Sequence, residues 1–320
     1  MLSLMEPIMK GSGPAEVFRI SGHQTFALRI AWIPKAVSMI ITGSDPFTNP
    51  DDGIVGMGLG KNMVESLRVW IEAFQVAEKA GDDWILKPDA DLVFGNDGFD
   101  PFIEDATTAW LLHWWIATNR AAPFFAWECM FNRWPSNEFS ASSVFEAFRR
   151  HSNQNQHPAS DITLKQHWEV FLNTYRPPRI ERSEDNLDSA LSVLRLIRQV
   201  GERPDVTGRW APVYAFDTGM KNGISQSLFA YFLNDWWNHS FPTEKTVPFR
   251  EVINARFSPG RILKMSESEI ALRLSDLAAR HTNTFFVTDS ANLRQIGRKE
   301  PIDSIKALKR AYTSPAFLNR

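Results

Sequence analysis

Cysteine is nearly absent from this chain: Cys129 is the single cysteine among 320 residues. One thiol cannot form an internal disulfide, and it cannot by itself build a cysteine-rich zinc site. Such cysteine usage is typical of a reducing compartment, so we expect the protein to be cytoplasmic. Because Cys129 lies among aromatic residues, we expect it to be a buried core residue.

Long apolar runs are also missing. Residues 110–116 form a short apolar stretch that His113 interrupts, whereas a membrane-spanning helix needs about 20 apolar residues. Residues 1–13 carry Glu6 before Lys10 and contain no long apolar segment, so we do not expect a signal peptide or a membrane partner. The composition, 43% hydrophobic and 22% charged, is typical of a folded globular protein.

The chain has no excess of positive charge. Its net charge of −2 argues against a protein that coats nucleic acid through bulk electrostatics. The charges are unevenly distributed: residues 78–128 hold ten Asp and Glu against three Lys and Arg, and residues 251–320 hold twelve Lys and Arg against seven Asp and Glu. This asymmetry permits a local phosphate-binding face, although two ordinary solvated surfaces would have the same composition.

Residues 33–95 have the pattern of a helix, a short helix, a tight turn, a long amphipathic helix and a hairpin. The long helix, for which Asn62 is the predicted N-cap, has one apolar stripe: Val64, Leu67, Trp70, Ile71 and Phe74. This order is typical of a winged helix-turn-helix, whose long helix enters the major groove of DNA while the hairpin touches the backbone. Winged helices also serve as protein–protein modules, so the pattern indicates a fold more strongly than a DNA contact.

The rest of the chain is predicted to be mainly helical. One predicted helix begins at residue 105 and carries residues 110–115. Further predicted helices cover residues 140–175, 186–200, 225–239, 249–255 and 266–279, with a strand at 213–216 and a second hairpin at 284–288 and 293–296. The tryptophans of residues 110–127 recur at helical spacing without interleaved Lys or Arg, which indicates core packing rather than base stacking.

We therefore predict a mainly α-helical fold with small β-hairpin wings, of the α+β class, in which winged helix-turn-helix modules are joined by helical bundle segments. The Arg-Pro-Pro-Arg stretch at 176–179 is the preferred domain boundary. The predicted domains are an N-terminal winged helix (1–97), an aromatic-rich helical domain (98–176) and a C-terminal helical domain that ends in a second winged-helix-like module (177–320).

Seven motifs carry a resemblance to a known family. They are SGHQTF at 21–26, WIPK at 32–35, LGKNMVESLR at 59–68, DATTAWLLH at 105–113, TLK at 163–165, DNLD at 185–188 and SPGR at 258–261. Each is weak alone, but their joint order over nearly the whole chain resembles the SspB-like family of bacterial DNA phosphorothioation defence systems, formerly a family of unknown function.

The resemblance implies a protein that works on double-stranded DNA beside a cysteine desulfurase, an ATPase and a sulfur-transfer enzyme. It implies a nick in one strand, after which sulfur replaces a non-bridging phosphate oxygen. A nicking enzyme must activate a nucleophile and neutralise charge on the phosphate, which acidic residues holding Mg²⁺ or Mn²⁺ would do. The sequence does not identify the metal ligands, and we expect no nucleotide or organic cofactor.

Catalytic candidates follow from residue type. His23, with Arg19 and Arg29 nearby, is the most suggestive basic cluster, although its turn residues could simply order the chain. Glu104 and Asp105 are the best acidic pair, but they precede a helix, where carboxylates also cap and favour the helix dipole. The same two interpretations apply to Asp185 and Asp188.

Eight residues are predicted to bind DNA: Arg19, Arg29, Lys61, Asn62, Arg68, Lys87, Arg261 and Lys264. Lys61, Asn62 and Arg68 lie off the apolar stripe of the long helix. They are therefore on the face that is expected to meet base edges and phosphates. Glu65 and Glu72 make that face mixed in charge. Two alternatives to a nicking enzyme stay open, namely a non-catalytic winged-helix regulator and an adaptor for sulfur-transfer enzymes. The near-neutral net charge favours these two alternatives, whereas the family resemblance favours the nicking enzyme.

Overall fold

The computed structural model describes residues 18–48, 50–154, 158–176, 191–205, 207–290 and 293–314. Over these residues the fold is mixed α+β, with many helices and three small antiparallel sheets. The predicted α+β class is therefore confirmed. Within the same residues no helix is long and apolar enough to cross a membrane.

The N-terminal part has the predicted element order. It contains α1 (Trp32–Ile41), α2 (Pro50–Met57), α3 (Lys61–Ala73), the hairpin of β1 (Ala77–Ala80) and β2 (Asp83–Leu86), and α4 (Pro88–Phe94). All five residues of the predicted apolar stripe are buried, because the stripe faces the core at helical spacing. The predicted cap is wrong: Gly60 occupies the N-cap position, and Asn62 lies exposed inside the first turn.

The middle of the chain is packed with aromatic side chains. It contains α5 (Ala106–Ala117), α6 (Phe125–Trp127), a π-helical turn (Glu128–Arg133), β3 (Glu138–Ser140), α7 (Ala141–Ser152) and α8 (Asp161–Tyr175). Every residue of α5 after its first is buried, as expected for a helix that is apolar on all sides. The core-packing prediction for these tryptophans and for Cys129 is confirmed.

The C-terminal part alternates strands and helices. It contains β4 (Ile197–Pro204), β5 (Trp210–Phe216), α9 (Gln226–Ser240), β6 (Thr246–Pro248), α10 (Phe249–Asn254), α11 (Pro259–Ile262), α12 (Glu267–Arg280), β7 (Phe285–Ser290), β8 (Leu293–Arg298) and α13 (Ser304–Thr313). The second predicted hairpin corresponds to β7 and β8, which pair from Phe285↔Arg298 to Ser290↔Leu293.

The helix predicted over residues 186–200 is wrong where the structure describes it. Residues 192–194 form a 3₁₀ turn, and residues 197–200 belong to β4. The reason is long-range pairing: β4 runs antiparallel to β5 from Ile197↔Phe216 to Pro204↔Trp210, and such pairing overrides local helix propensity. Residues 186–190 lie outside the described residues, as do Asp185 and Asp188.

One cluster of buried apolar side chains extends from Leu28 to Ala311. It includes residues from each of the three predicted domains. The boundary at 97/98 stays a prediction, and so does the boundary at 176/177, beside which residues 177–190 are not described.

Candidate functional site

An open pocket of about 430 Å³ lies among α4, α9 and the segment that follows α5. Polar side chains from distant parts of the sequence meet there: Gln75, Lys87, Asp89, Asn119, Arg120, Tyr231, Asp235 and His239. Carboxylates, cations, a phenol and an imidazole therefore line one cavity, which is the kind of concave site expected for binding or chemistry.

Helix α9 supplies three of these residues from one face. Tyr231, Asp235 and His239 follow one another at four-residue intervals, and side chains so spaced lie above one another on a helix. The N-terminus of α9 is capped by Ser225, whose hydroxyl accepts the N–H of Leu228 at 3.2 Å. The helix is otherwise anchored in the core, which holds these polar side chains in place.

Asp89 enters the pocket from the first turn of α4. The hydroxyl of Tyr231 donates to Asp89 Oδ2 at 2.5 Å and accepts the indole N–H of Trp115 at 3.1 Å. Burial raises the pKa of Asp89, and the nearby charge of Asp235 raises it further, against the opposing effect of the Tyr231 hydrogen bond. Burial and the same two carboxylates raise the pKa of Tyr231 well above its ordinary value, so the phenol stays protonated and remains a donor.

Asp235 links α9 to α5 and to His239. Its Oδ2 accepts the indole N–H of Trp114 at 2.8 Å, and its Oδ1 lies 3.4 Å from Nδ1 of His239. The hydrogen bond to Asp235 raises the pKa of His239, in spite of the opposing effect of partial burial. The imidazole side chain is 56% exposed, so it can exchange protons with solvent.

Arg120 brings positive charge to the mouth of the pocket. Its Nη2 donates to the hydroxyl of Ser240 at 3.1 Å, and its guanidinium lies over the ring of Phe257 at 4.4 Å from the centroid. The preceding residue, Asn119, fixes this segment, since its side chain donates to the carbonyl of Ala73 at 3.2 Å and accepts the N–H of Ala122 at 3.1 Å.

The acidic donor set of the pocket consists of two carboxylates, Asp89 and Asp235. Within the described part of the chain, no group of three or more His, Cys, Asp or Glu side chains is arranged to hold a metal. A cage built from protein ligands alone is therefore not seen in these residues. Two carboxylates are nevertheless what Mg²⁺ commonly takes from a protein when water and substrate phosphate complete its coordination.

Residues 20–312 match the family described as "Protein of unknown function (DUF4007)". This chain belongs to the DUF4007 family. No curated protein matches the sequence.

Two solved structures resemble this DUF4007 protein over most of its length. The magnesium ion-bound SspB crystal structure has a TM-score of 0.79 and 25% sequence identity, covering 91% of this chain and 87% of that one. A second SspB crystal structure has a TM-score of 0.75 and 24% identity, covering 92% and 88% of the two chains, which shows a shared fold. The SspB-like resemblance expected from the seven motifs is confirmed.

His23 lies in the core of this DUF4007 protein, only 4% exposed. Its Nε2 is 2.7 Å from Nδ1 of His167, and the backbone N–H of Ala126 donates to Nε2 of His167 at 3.0 Å. The backbone donor fixes both tautomers: His167 must carry its proton on Nδ1 and donate to His23. Burial lowers the pKa of His23 to about 4, so the ring is neutral at pH 7.

Glu104 and Asp105 are exposed and lie at the start of α5. Asp105 is the N-cap, and its Oδ1 accepts the N–H of Thr107 at 2.7 Å. The backbone N–H groups of Glu104 and Asp105 in turn donate to the buried carboxylate of Asp100. Among the described residues no hydrogen bond or ion pair joins this segment to His23, so the three predicted catalytic residues are not brought together by direct contacts.

The predicted DNA-binding residues fall into two groups. Lys61, Asn62 and Arg68 are exposed on α3. The other five have contacts within the protein: Arg19 pairs with Glu72, Arg29 lies over Trp32, Lys87 pairs with Glu78, Arg261 donates to the carbonyl of Asn254, and Lys264 packs on Phe131 and Phe216. Burial lowers the pKa of Lys264 to about 7, so its charge is weakened where it lies.

Sequence reasoning missed most of the pocket. The four-residue spacing of Tyr231, Asp235 and His239 was visible on the predicted helix 225–239 and would have indicated one polar face. Asp89 and Arg120 gave no such signal, because each reaches the pocket only through tertiary packing.

Proposed function

We propose that this protein is the DNA-handling component of a phosphorothioation system and that it nicks one strand of double-stranded DNA so that sulfur can be incorporated. The observation that carries the proposal is the similarity to SspB across 91% of the chain. Its partners would be a sulfur-transfer enzyme, a cysteine desulfurase and an ATPase, as the family resemblance implies.

We place the nicking centre in the pocket of Asp89 and Asp235. Burial is the main cause of the raised pKa of Asp89, and the nearby charge of Asp235 adds to it. A bound cation would stabilise both carboxylates in their ionised form. The two side chains would hold Mg²⁺ or Mn²⁺ together with a DNA phosphate, and the cation would supply charge neutralisation at that phosphate.

The chain's own residues then have separate tasks. Arg120 and Lys87 carry the positive charge of the pocket, and a guanidinium binds phosphate through two parallel hydrogen bonds. Tyr231 positions the Asp89 carboxylate by its hydrogen bond. His239 is held by Asp235 and exposed to solvent, so it is suited to exchange a proton with an attacking water or a leaving oxygen.

Helices α1 to α3 and the β1–β2 hairpin would act as a winged helix-turn-helix that docks the duplex. Support comes from α3, which buries its apolar stripe and leaves Lys61, Asn62 and Arg68 exposed near its start. Elements α10 to α12 with β7 and β8 have a similar order and would form the second module. Both modules would position DNA, while the pocket performs the chemistry.

The test is conversion of supercoiled plasmid to open circles by the purified protein, with Mg²⁺, with Mn²⁺ and with EDTA. The wild type should nick only with metal. Asp235→Asn should nick about 100-fold more slowly or worse, the scale expected when a charged group of an active centre is removed. Asp97→Asn, an exposed carboxylate that does not line the pocket, is the matched control and should nick like the wild type.

Two outcomes would contradict the proposal in different ways. Unchanged plasmid with a salt-dependent mobility shift would make the protein a non-catalytic DNA-binding regulator. Equal nicking by Asp235→Asn and the wild type would retain the function but place the chemistry elsewhere.

A further inference from the structure

The hairpin of β4 and β5 exposes an unusual set of side chains. Every residue of β4 after Ile197 is exposed, and Trp210, where β5 begins, is 70% exposed. Leaving an indole in water forgoes the stabilisation that burial of a large aromatic side chain provides. Trp168 and Trp236, by contrast, are buried.

The described residues at the end of the hairpin are joined by hydrogen bonds. The backbone N–H of Asp205 donates to the carbonyl of Arg209 at 2.8 Å, which closes the turn. The Asp205 carboxylate accepts the N–H of Thr207 at 2.7 Å and the N–H of Arg209 at 3.1 Å. Gly208 has a φ of 79°, a conformation that glycine adopts without strain. Trp210 thus directly follows residues that these hydrogen bonds connect.

The charge on this hairpin is mainly positive. Exposed arginines occur before, along and at the end of β4: Arg195, Arg198, Arg203 and Arg209. Arg203 pairs with Glu138 at 2.8 Å, and the Asp205 carboxylate is engaged within the turn. The hairpin itself carries Glu202 as its other acidic side chain, and Asp217, which follows β5, lies near Arg198. Residues 197–216 thus hold three arginines against two carboxylates, a small positive excess that favours contact with a polyanion.

We propose that the β4–β5 hairpin is a DNA contact, in which Trp210 stacks on an exposed base while Arg198 and Arg209 bind flanking phosphates. Aromatic rings that stack on bases beside cations that follow the backbone are the composition of single-strand binding surfaces. The assignment rests on the proposed function, since DNA is the polyanion it names. Charged side chains also protect edge strands such as β4 from pairing with other chains, but that purpose does not need an exposed indole.

The contact is tested with the full chain by anisotropy of a labelled DNA single strand and of the matching duplex. Trp210→Ala should weaken single-strand binding about tenfold or more, the range of one lost base stack, whereas Trp210→Phe should retain most of it. Phe102→Ala removes an aromatic ring that is 68% exposed and lies outside the hairpin, and should leave binding unchanged. Arg198→Gln and Arg209→Gln should each reduce the salt dependence of binding by about 0.7 in the log–log slope.

The outcomes distinguish a failure of the hairpin contact from a failure of the proposed function. If the wild type binds neither DNA, the proposed function fails and the hairpin contact fails with it. If the wild type binds DNA and Trp210→Ala binds equally tightly, the hairpin assignment alone is wrong. Melting curves of each variant show whether a loss of binding reflects unfolding, and Trp210→Phe supplies the folded comparison if Trp210→Ala does not fold.

Discussion

Acidification from pH 7 to pH 5 should lower the free energy of unfolding, because burial keeps His23, His113 and His167 neutral in the folded protein. Burial lowers the pKa of His23 from 6.5 to about 4 and the pKa of His113 from 6.5 to about 3. The unfolded chain therefore binds more protons than the folded one below about pH 6.5, and stability falls as the pH falls until it reaches the folded-state pKa values.

The size of the effect follows from the same two pKa values. At pH 5 the unfolded rings are largely protonated, since pH 5 lies about 1.5 units below their pKa, whereas the folded rings are still neutral. At about 1.4 kcal/mol per unit, each ring accounts for about 2 kcal/mol and the pair for about 4 kcal/mol. This is a large part of the stability of an ordinary domain.

Urea unfolding at pH 7, 6 and 5 measures this dependence. His23→Gln keeps an oxygen that can accept from His167 but removes one titrating ring, so the loss between pH 7 and 5 should shrink by about 2 kcal/mol. Ser66→Ala is the matched control: it removes a hydroxyl that donates to the carbonyl of His23 at 2.9 Å and should lower stability equally at every pH. An unchanged pH dependence in His23→Gln would refute the assignment of a neutral buried ring.

Other predictions concern the pocket, the core and α3. Tyr231→Phe removes the hydroxyl that donates to Asp89 and should slow plasmid nicking while costing about 1 kcal/mol of stability in urea; normal nicking would mean that Asp89 needs no positioning. Glu128→Gln neutralises a carboxylate that is 1% exposed and pairs with the partly exposed Arg133 and Arg256 at 2.9 Å; it should cost about 2 kcal/mol through its charged hydrogen bonds, whereas a loss below about 1 kcal/mol would show that its charge is dispensable. Lys61→Ala and Arg68→Ala should each weaken duplex binding and reduce its salt slope by about one; an unchanged slope would remove α3 from the DNA surface.

The sequence was most informative where a pattern is local. The stripe from Val64 to Phe74 predicted α3 because helical spacing alone determines which side chains face the core. The arms of both hairpins were predicted from apolar runs on either side of turn residues. Helix α9 was predicted to within a residue at each end, and its N-cap, Ser225, is a residue type that favours that position.

Features that depend on long-range contacts were missed. The first half of β4, residues 197–200, was predicted as the end of a helix, since its Arg and Gln residues favour helices and only the ladder with β5 makes it a strand. His23 was chosen for its chemistry, but burial keeps its ring neutral, and His167, 144 residues away, determines which of its ring nitrogens carries the proton. Asp105 illustrates an ambiguity of residue type, because the same carboxylate suits a metal site and a helix cap, and the structure shows it in the second role.

The most direct test of the nicking centre compares the pocket with the pair predicted from sequence. Asp89→Asn and Glu104→Gln each neutralise one carboxylate, and the single-turnover rate of plasmid nicking with Mg²⁺ is measured for both. A centre in the pocket predicts that Asp89→Asn loses about 100-fold or more of the rate while Glu104→Gln keeps the wild-type rate. Wild-type nicking by Asp89→Asn together with an inactive Glu104→Gln would contradict it and move the chemistry to the start of α5.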